Sequence, residues 1–391
     1  MRIPIYELIT PERLVVGQNS VYKITETLER IFPHVGLADI NAFIVTDKNV
    51  EKTGSVKTVV NLLEERGINT YIYNEISGVP TDNVIEKAFS AFLENRGSFI
   101  IAIGGGTVID ASKAIAVLTS NQPPVTQYGL PQIPRDPKVP IFAIPTTAGS
   151  GSEVTPFSIV KNEKENRKIV IFSRGIMPKA TFLDPTFTIS LPQRVTAETG
   201  IDALTHAIEA YTSLYANPIS NGFAVQAMKL IFKYLRKAYA NGEDITAREN
   251  MLVASALAGL AATQAGLGIV HALSHALTDF INITHGFSNA ILLPHCMKFN
   301  LIAVEQKYAE IAQISGEIVE NLSVRKRAEL AIDVIEKLLN DLDLVFYLRR
   351  LGVTDDMITD IAKRALKDAE ESPNPRKTTL RDIILIYKRA L

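Results

Sequence analysis

The chain has 391 residues, enough for two to three domains at the usual roughly 100–200 residues each. Its 41 Lys and Arg against 42 Asp and Glu leave a net charge of −1, without the basic excess that marks a nucleic-acid or anionic-membrane partner, so neither is expected. A single cysteine, Cys296, excludes an internal disulfide framework and a thiolate-rich zinc module.

In chain order, the first half alternates short apolar runs with helical periodicity. Strands are predicted at 42–46 (AFIVT), 70–73, 98–103 (SFIIAI), 141–144 (IFAI), 169–172 and 180–183, and helices at 56–66, 83–95 and 110–118. Unbroken Ile, Val and Phe runs are what a parallel sheet covered on both faces requires, and strand–helix alternation implies right-handed crossovers. The proline-dense stretch 123–140 suits neither a helix interior nor a central strand and reads as a surface excursion. Beyond Leu191-Pro192 strand-like runs stop. Helices are predicted at 197–213, 218–239, 247–263, through a histidine-bearing segment, then at 308–317, 324–342, 355–365 and 380–391. The expected architecture is an α/β dinucleotide-binding domain over 1–191, with a mostly parallel sheet, and an all-α metal-binding and catalytic domain over 192–391.

Residues 250–278 carry no Asp, Glu, Lys or Arg, a length sufficient to cross a bilayer. Their content is Ala and Gly with interspersed Ser, Thr, Gln and His, whereas lipid-facing helices are richer in Leu, Ile, Phe and Val. The run is therefore expected to be the buried centre of the helical domain. The opening residues lack an apolar core followed by a small-residue cleavage site. A cytoplasmic protein is expected.

Four groups of residues point to chemistry. GGGTVID at 104–110 follows a predicted strand and opens a helix, so its backbone N–H groups and the helix N-terminus suit a phosphate. PTTAGSGSE at 145–153 also follows a strand and presents Thr146, Thr147, Ser150 and Ser152 hydroxyls to ribose and pyrophosphate oxygens. Asp47, at the end of AFIVT, suits an adenine-ribose diol and would repel a 2′-phosphate, favouring NAD over NADP. Asp202 and His206 stand four apart on one predicted helix, as do His271 and His275, with His285 beyond the break INIT. One carboxylate and three imidazoles from this set satisfy a divalent first-row metal and leave a position open for substrate. His295 reads as a helix-end or core histidine, His34 as background and Cys296 as a small buried apolar group.

These residues carry a resemblance. GGGTVID resembles the G-G-G-S-x-x-D of the iron-containing (group III) alcohol dehydrogenases, with Thr107 for the usual Ser, and PTTAGSGSE resembles their P-T-T-x-G-T-G-S-E, with Ser150 for Thr. ETGIDALTHAIE and GLGIVHALSHALTDFINITHGFSNA are similar to that family's two long histidine-bearing motifs, and the likeness spans nearly the whole chain. It implies a dehydroquinate synthase-like, group III alcohol dehydrogenase architecture. It also implies Asp202, His206, His271 and His285 as ligands of Fe2+, with Zn2+ or another divalent ion possible on ligand type alone, and His275 as the non-ligand histidine that relays the alcohol proton. Gly105, Gly106 and Thr107 fall on the pyrophosphate turn. Asp110, Thr146, Thr147 and Ser150 fall on nicotinamide-side and ribose contacts, Lys168 on a cofactor lysine and Thr188 on an adenine-side threonine. The implied activity is reversible hydride transfer between a small primary alcohol or diol and NAD, or NADP, giving the aldehyde or ketone, in a homodimer or higher homo-oligomer. The alternatives are a zinc-type glycerol or polyol dehydrogenase, a dehydroquinate-synthase-like lyase, which would need a basic cluster for its substrate phosphate, and a nucleotide-binding protein without catalysis.

Overall fold

The structure is a computed structural model describing residues 6–165 and 167–391. Residues 1–5, part of the opening segment read for a leader, and Asn166 lie outside the described residues. The chain divides into two compact units, one of residues 9–191 and one of residues 192–391 together with residues 6–8.

The first unit runs β1 (Arg13–Val16), α1 (Ile24–Ile31), β2 (Asn41–Val45), α2 (Lys48–Lys52), α3 (Ser55–Glu64), β3 (Asn69–Tyr73), α4 (Asp82–Glu94), β4 (Phe99–Gly104), α5 (Gly106–Leu118), β5 (Ile141–Pro145), β6 (Phe157–Asn162), β7 (Arg167–Phe172) and β8 (Ala180–Leu183). Six strands form one sheet in the order β1-β8-β5-β4-β2-β3, and every pairing in it is parallel, with Ile101 opposite Phe142 and Ile44 opposite Ile101. The period of two divides each strand between two cores. Ile100, Ala102, Phe43 and Ala143 pack with the inner face of α5 and α4, while Phe99, Ile101, Ile103, Ile44 and Phe142 pack with α1 and α3 on the other side. Both faces being covered explains why β4 is apolar at every position.

Two expectations change here. The strand read at 169–172 lies in β7, outside the parallel sheet, paired antiparallel with β6 as a two-stranded ribbon with Ile159 opposite Val170. Its residues alternate between covered and open positions, as a ribbon covered on one face must. β1 was not predicted, because four residues, half of them exposed on a sheet edge, give too little periodicity.

The second unit is helical: α6 (Gln193–Thr212), α7 (Pro218–Ala240), α8 (Ile245–Ala265), α9 (Ile269–Phe280), α10 (His285–Asn300), α11 (Glu305–Ile314), α12 (Val324–Asp341), α13 (Ile358–Glu371) and α14 (Leu380–Ala390). Asn217 begins α7 with a reciprocal cap shared with Ser220, and Thr284 caps α10 by accepting from Phe287 N. The charge-free run becomes α8 and α9. Among the described residues no single helix is long and apolar enough to cross a membrane; α8 and α9 pass that test only as a pair, and they are bent by 103° at their junction. Ala254, Ala256, Ala258 and Ala261 of α8 are buried, and small side chains there let neighbouring helices approach closely.

Candidate functional site

Because the sheet is parallel, Asp47 after β2, Gly105 after β4, Thr146 after β5 and Thr188 after β8 all stand along the edge where ligands of such sheets bind. Gly105 is the N-cap of α5 and supplies no side-chain cap, so the first N–H groups of the helix are left to a ligand. The two glycine-rich loops are packed on each other. Thr146 N donates to Gly104 O at 3.1 Å, and a Cβ at Gly106 would stand 2.6 Å from Ser150 Oγ, so only glycine permits this approach. A Cβ at Gly105 would stand 3.2 Å from the Thr147 side chain, and Thr107 is half-buried beside them.

The remaining expected cofactor residues have varied settings. Asp47 caps α2, its Oδ1 accepting from Asn49 N at 2.7 Å and Val50 N at 3.0 Å. Thr188 is buried and donates to Pro185 O at 2.8 Å. Lys168 stands on the ribbon opposite Lys161. Asp110 is turned inward: Oδ2 accepts from Ile159 N at 3.0 Å, Oδ1 lies 3.9 Å from Lys113 Nζ, and burial pushes its carboxyl up. Sequence reading missed Lys113, which is fully buried and donates to Ser152 O at 2.6 Å and Phe157 O at 2.8 Å. It also missed Glu153, whose carboxyl burial pushes up to about 7.

In the helical unit α6, α9 and α10 bring their polar residues to one place. His271 Nε2 is 3.1 Å from His206 Nε2 and 3.8 Å from Asp202 Oδ1, and His285 Nε2 is 3.6 Å from Asp202 Oδ1. Donor atoms of Asp202, His271 and His285 all lie within 4.8 Å of one another. His275 stands beside this group. Its ring stacks on His285, centroids 5.0 Å apart, and lies 6.2 Å from His271.

A second layer of contacts aims these groups. Glu209 Oε2 is 2.5 Å from His271 Nδ1. Ser274 Oγ is 3.1 Å from His285 Nδ1, and Asn289 Nδ2 donates to Asp202 Oδ1 at 2.7 Å. In His271 the contact falls on Nδ1 and leaves Nε2 turned toward His206, whereas His285 is held at both nitrogens, its Nε2 lying 3.2 Å from Asn289 Nδ2. Burial pushes the Asp202 carboxyl up and that of Glu209 up to about 8, and it drives His271 well below its ordinary value, keeping that imidazole neutral. The missed residues had a signal: Glu209 lies three beyond His206 and Asn289 four beyond His285, each on the face its histidine occupies.

Tetrahedral coordination at metal–nitrogen distances of about 2.0–2.1 Å separates neighbouring donors by roughly 3.3 Å. The observed 3.1, 3.6 and 3.8 Å match that spacing, and two imidazole nitrogens facing each other in a buried site repel unless a cation or proton lies between them. One carboxylate oxygen and the imidazoles of His271 and His285 therefore fit a divalent first-row metal, with His206 Nε2 3.1 Å from His271 Nε2 but outside the group whose donors all lie within 4.8 Å of one another.

Comparison with known proteins agrees. Residues 11–185 match iron-containing alcohol dehydrogenase, and residues 196–391 match the C-terminal part of the Fe-containing alcohol dehydrogenase family. The chain is 36% identical over 392 residues to 1,3-propanediol dehydrogenase of Klebsiella pneumoniae, covering 100% of both. It is 36% identical over 381 residues to NAD-dependent methanol dehydrogenase of Bacillus methanolicus, covering 97% of this chain and 98% of that one. The crystal structure of a 1,3-propanediol oxidoreductase superposes with a TM-score of 0.94 at 36% identity, covering 99% of this chain and 100% of the other. With its glycine-rich sheet edge and its carboxylate–histidine centre, the chain belongs to the iron-containing alcohol dehydrogenase family.

Proposed function

We propose that this protein transfers hydride reversibly between a small primary alcohol or diol and NAD, with Asp202, His206, His271 and His285 holding the metal. As a member of the iron-containing alcohol dehydrogenases it is an oxidoreductase acting on CH–OH groups. The convergence of His271 and His285 on Asp202, with His206 Nε2 against His271 Nε2 and burial keeping His271 neutral, carries this reading. Fe2+ is the ion the family name indicates, and Zn2+ competes for the same nitrogen and oxygen donors. Such an ion supplies Lewis acidity to the alcohol or carbonyl oxygen, easing movement of hydride at the adjacent carbon.

The chain's own residues do the rest. Residues 9–191 form the cofactor domain and 192–391, joined by residues 6–8, the catalytic one. Gly105, Gly106 and Thr107 receive the pyrophosphate at the open N-terminus of α5. Thr146, Thr147 and Ser150 hydrogen-bond the ribose, and Asp110, buried behind this loop, lies on the nicotinamide side. Lys168 and Thr188 complete the cofactor contacts, and Asp47 favours NAD over NADP. His275, half-buried and stacked on His285, moves the alcohol proton toward solvent. A homo-oligomer is supported by β1, an edge strand that exposes Leu14 and Val16, and the cytoplasm is the compartment that suits an NAD-linked enzyme with one buried thiol.

The test is a panel of short alcohols and 1,2- and 1,3-diols against NAD and NADP, with metal analysis of the same sample. NADH formation that rises with Fe2+ or Zn2+ occupancy is expected. Turnover unaffected by complete metal removal would overturn the reading.

A further inference from the structure

Glu198, Asp202, His206 and Glu209 are spaced by four, four and three residues, so they line one face of α6. The inner two belong to the metal site. The outermost, Glu209, reaches α9 in a way that no part of the proposed reaction uses.

α9 begins at Ile269 after Gly268, which has no side chain to cap the helix. Its first N–H groups are instead taken by side chains from elsewhere in the unit: Val270 N donates to Glu209 Oε1 at 2.6 Å and Ile269 N to Asn374 Oδ1 at 3.4 Å. A Cβ at position 268 would stand 2.8 Å from Glu209 Oε1, so glycine there is what admits the carboxylate. The other oxygen, Oε2, lies 2.5 Å from His271 Nδ1. One carboxylate thus holds both the backbone from which His271 projects and the ring itself. We propose that Glu209 is a positioning residue for the metal site, fixing the Nδ1–H form of His271 while anchoring the start of α9 to α6. The inference rests on the metal-site reading given above.

The chemistry requires this geometry. An imidazole that offers its Nε2 lone pair to a cation carries its proton on Nδ1, and that proton needs an acceptor. Glutamine cannot replace Glu209. If its oxygen accepts from Val270 N, its NH2 donates toward His271 Nδ1 and moves the ring proton to Nε2, where the metal belongs. If its oxygen accepts from His271, its NH2 opposes Val270 N–H and leaves a buried donor unpaired.

The experiment is Co2+ binding to the metal-stripped full chain by chelator competition, with the ligand-field absorption of the bound ion as a second readout. Glu209→Gln is expected to weaken Co2+ binding by about 10–100-fold and to alter that absorption. Wild-type affinity and spectrum in Glu209→Gln would overturn the positioning role. Asp202→Ala is measured alongside: wild-type Co2+ binding in that variant would overturn the metal-site reading itself and Glu209's role with it. Nitrogen-15 NMR of the histidines in zinc-loaded wild-type protein tests the same point without any variant. His271 protonated on Nδ1 is expected, and His271 protonated on Nε2 would overturn the proposal.

Discussion

Each unit buries a cluster of ionisable groups, and the two clusters balance their charge in opposite ways. In the α/β unit Lys113 lies between Asp110 and Glu153, and its ammonium donates to Ser152 O, Phe157 O and Thr155 Oγ1. Burial draws the lysine down to about 8 and pushes Glu153 up to about 7. In the helical unit Asp202 and Glu209 are paired with imidazoles, and burial pushes both carboxyls up and His271 down. The first cluster contains its own cation, with every ammonium donor used on the protein. The second gathers a carboxylate and imidazoles around one point, and Asp202 and Glu209 there face histidines. One buried polar cluster acts as a brace and the other is the one proposed to bind a metal, and whether the cluster holds its own cation tells them apart.

The comparison breaks first at the ligands. His271→Ala should abolish stoichiometric metal, read by elemental analysis, and lower kcat/KM by at least about 1,000-fold, the scale set by loss of a catalytic metal; a fully metallated, active variant would sink it. The brace should respond in stability and not in metal content. Lys113→Met leaves two carboxyls in a dry site without their cation, and about 3–5 kcal/mol of destabilisation is expected in urea titrations. The triple variant Lys113→Met, Asp110→Asn, Glu153→Gln should recover part of that loss; a triple variant less stable than the single one would contradict the charge-balance account.

His275→Ala sharpens the boundary of the metal site. It should lower turnover by roughly 100-fold, as loss of a proton-transfer group does, with metal content near wild type, and loss of the metal would make His275 a ligand. The brace also carries a pH signature. Glu153 titrates above its ordinary 4.5, at about 7 in the folded protein, so the folded state binds the extra proton between these values. Its contribution is present below pH 4.5 and is lost as pH rises to about 7. Glu153→Gln should flatten the fall in urea midpoint across that window, and an unchanged slope would remove Glu153 as its source. The smallest effect is expected at Asp47. Asp47→Asn keeps an oxygen for the α2 cap while removing the charge, and it should raise the NADP-to-NAD ratio of kcat/KM by a few-fold, on the order of 1 kcal/mol of discrimination. An unchanged ratio would remove Asp47 from cofactor choice.

Much of this was legible in the residues. Unbroken runs such as FIIAIG announced strands buried on both faces, and GGGTVID and PTTAGSGSE marked the sheet edge because a strand, a glycine turn and a helix start coincide there. The pairs Asp202/His206 and His271/His275 showed which polar groups share a helix face, since the four-residue spacing is local geometry. Spacing alone left open which of the histidines are ligands, and the resemblance assigns His275 to the non-ligand place.

What stayed hidden was set by separation along the chain. Lys113 looked like one charge on an apolar helix until the fold placed the backbone of residues 152–157 around its ammonium. Glu209 was one acid among many until α9 arrived with an uncapped N-terminus and a ring needing an acceptor. β7 was read as a strand of the main sheet, and only its pairing with β6 showed otherwise. The sequence by itself determined which segments become strands and helices and which residue types can bind a phosphate or a metal, because those depend on side-chain chemistry and on neighbours within a turn or two. Tertiary structure alone decided which imidazole nitrogen faces the centre and which buried charge is already neutralised. Those depend on hydrogen bonds between groups tens of residues apart, whose strength is set by a burial that no local pattern encodes.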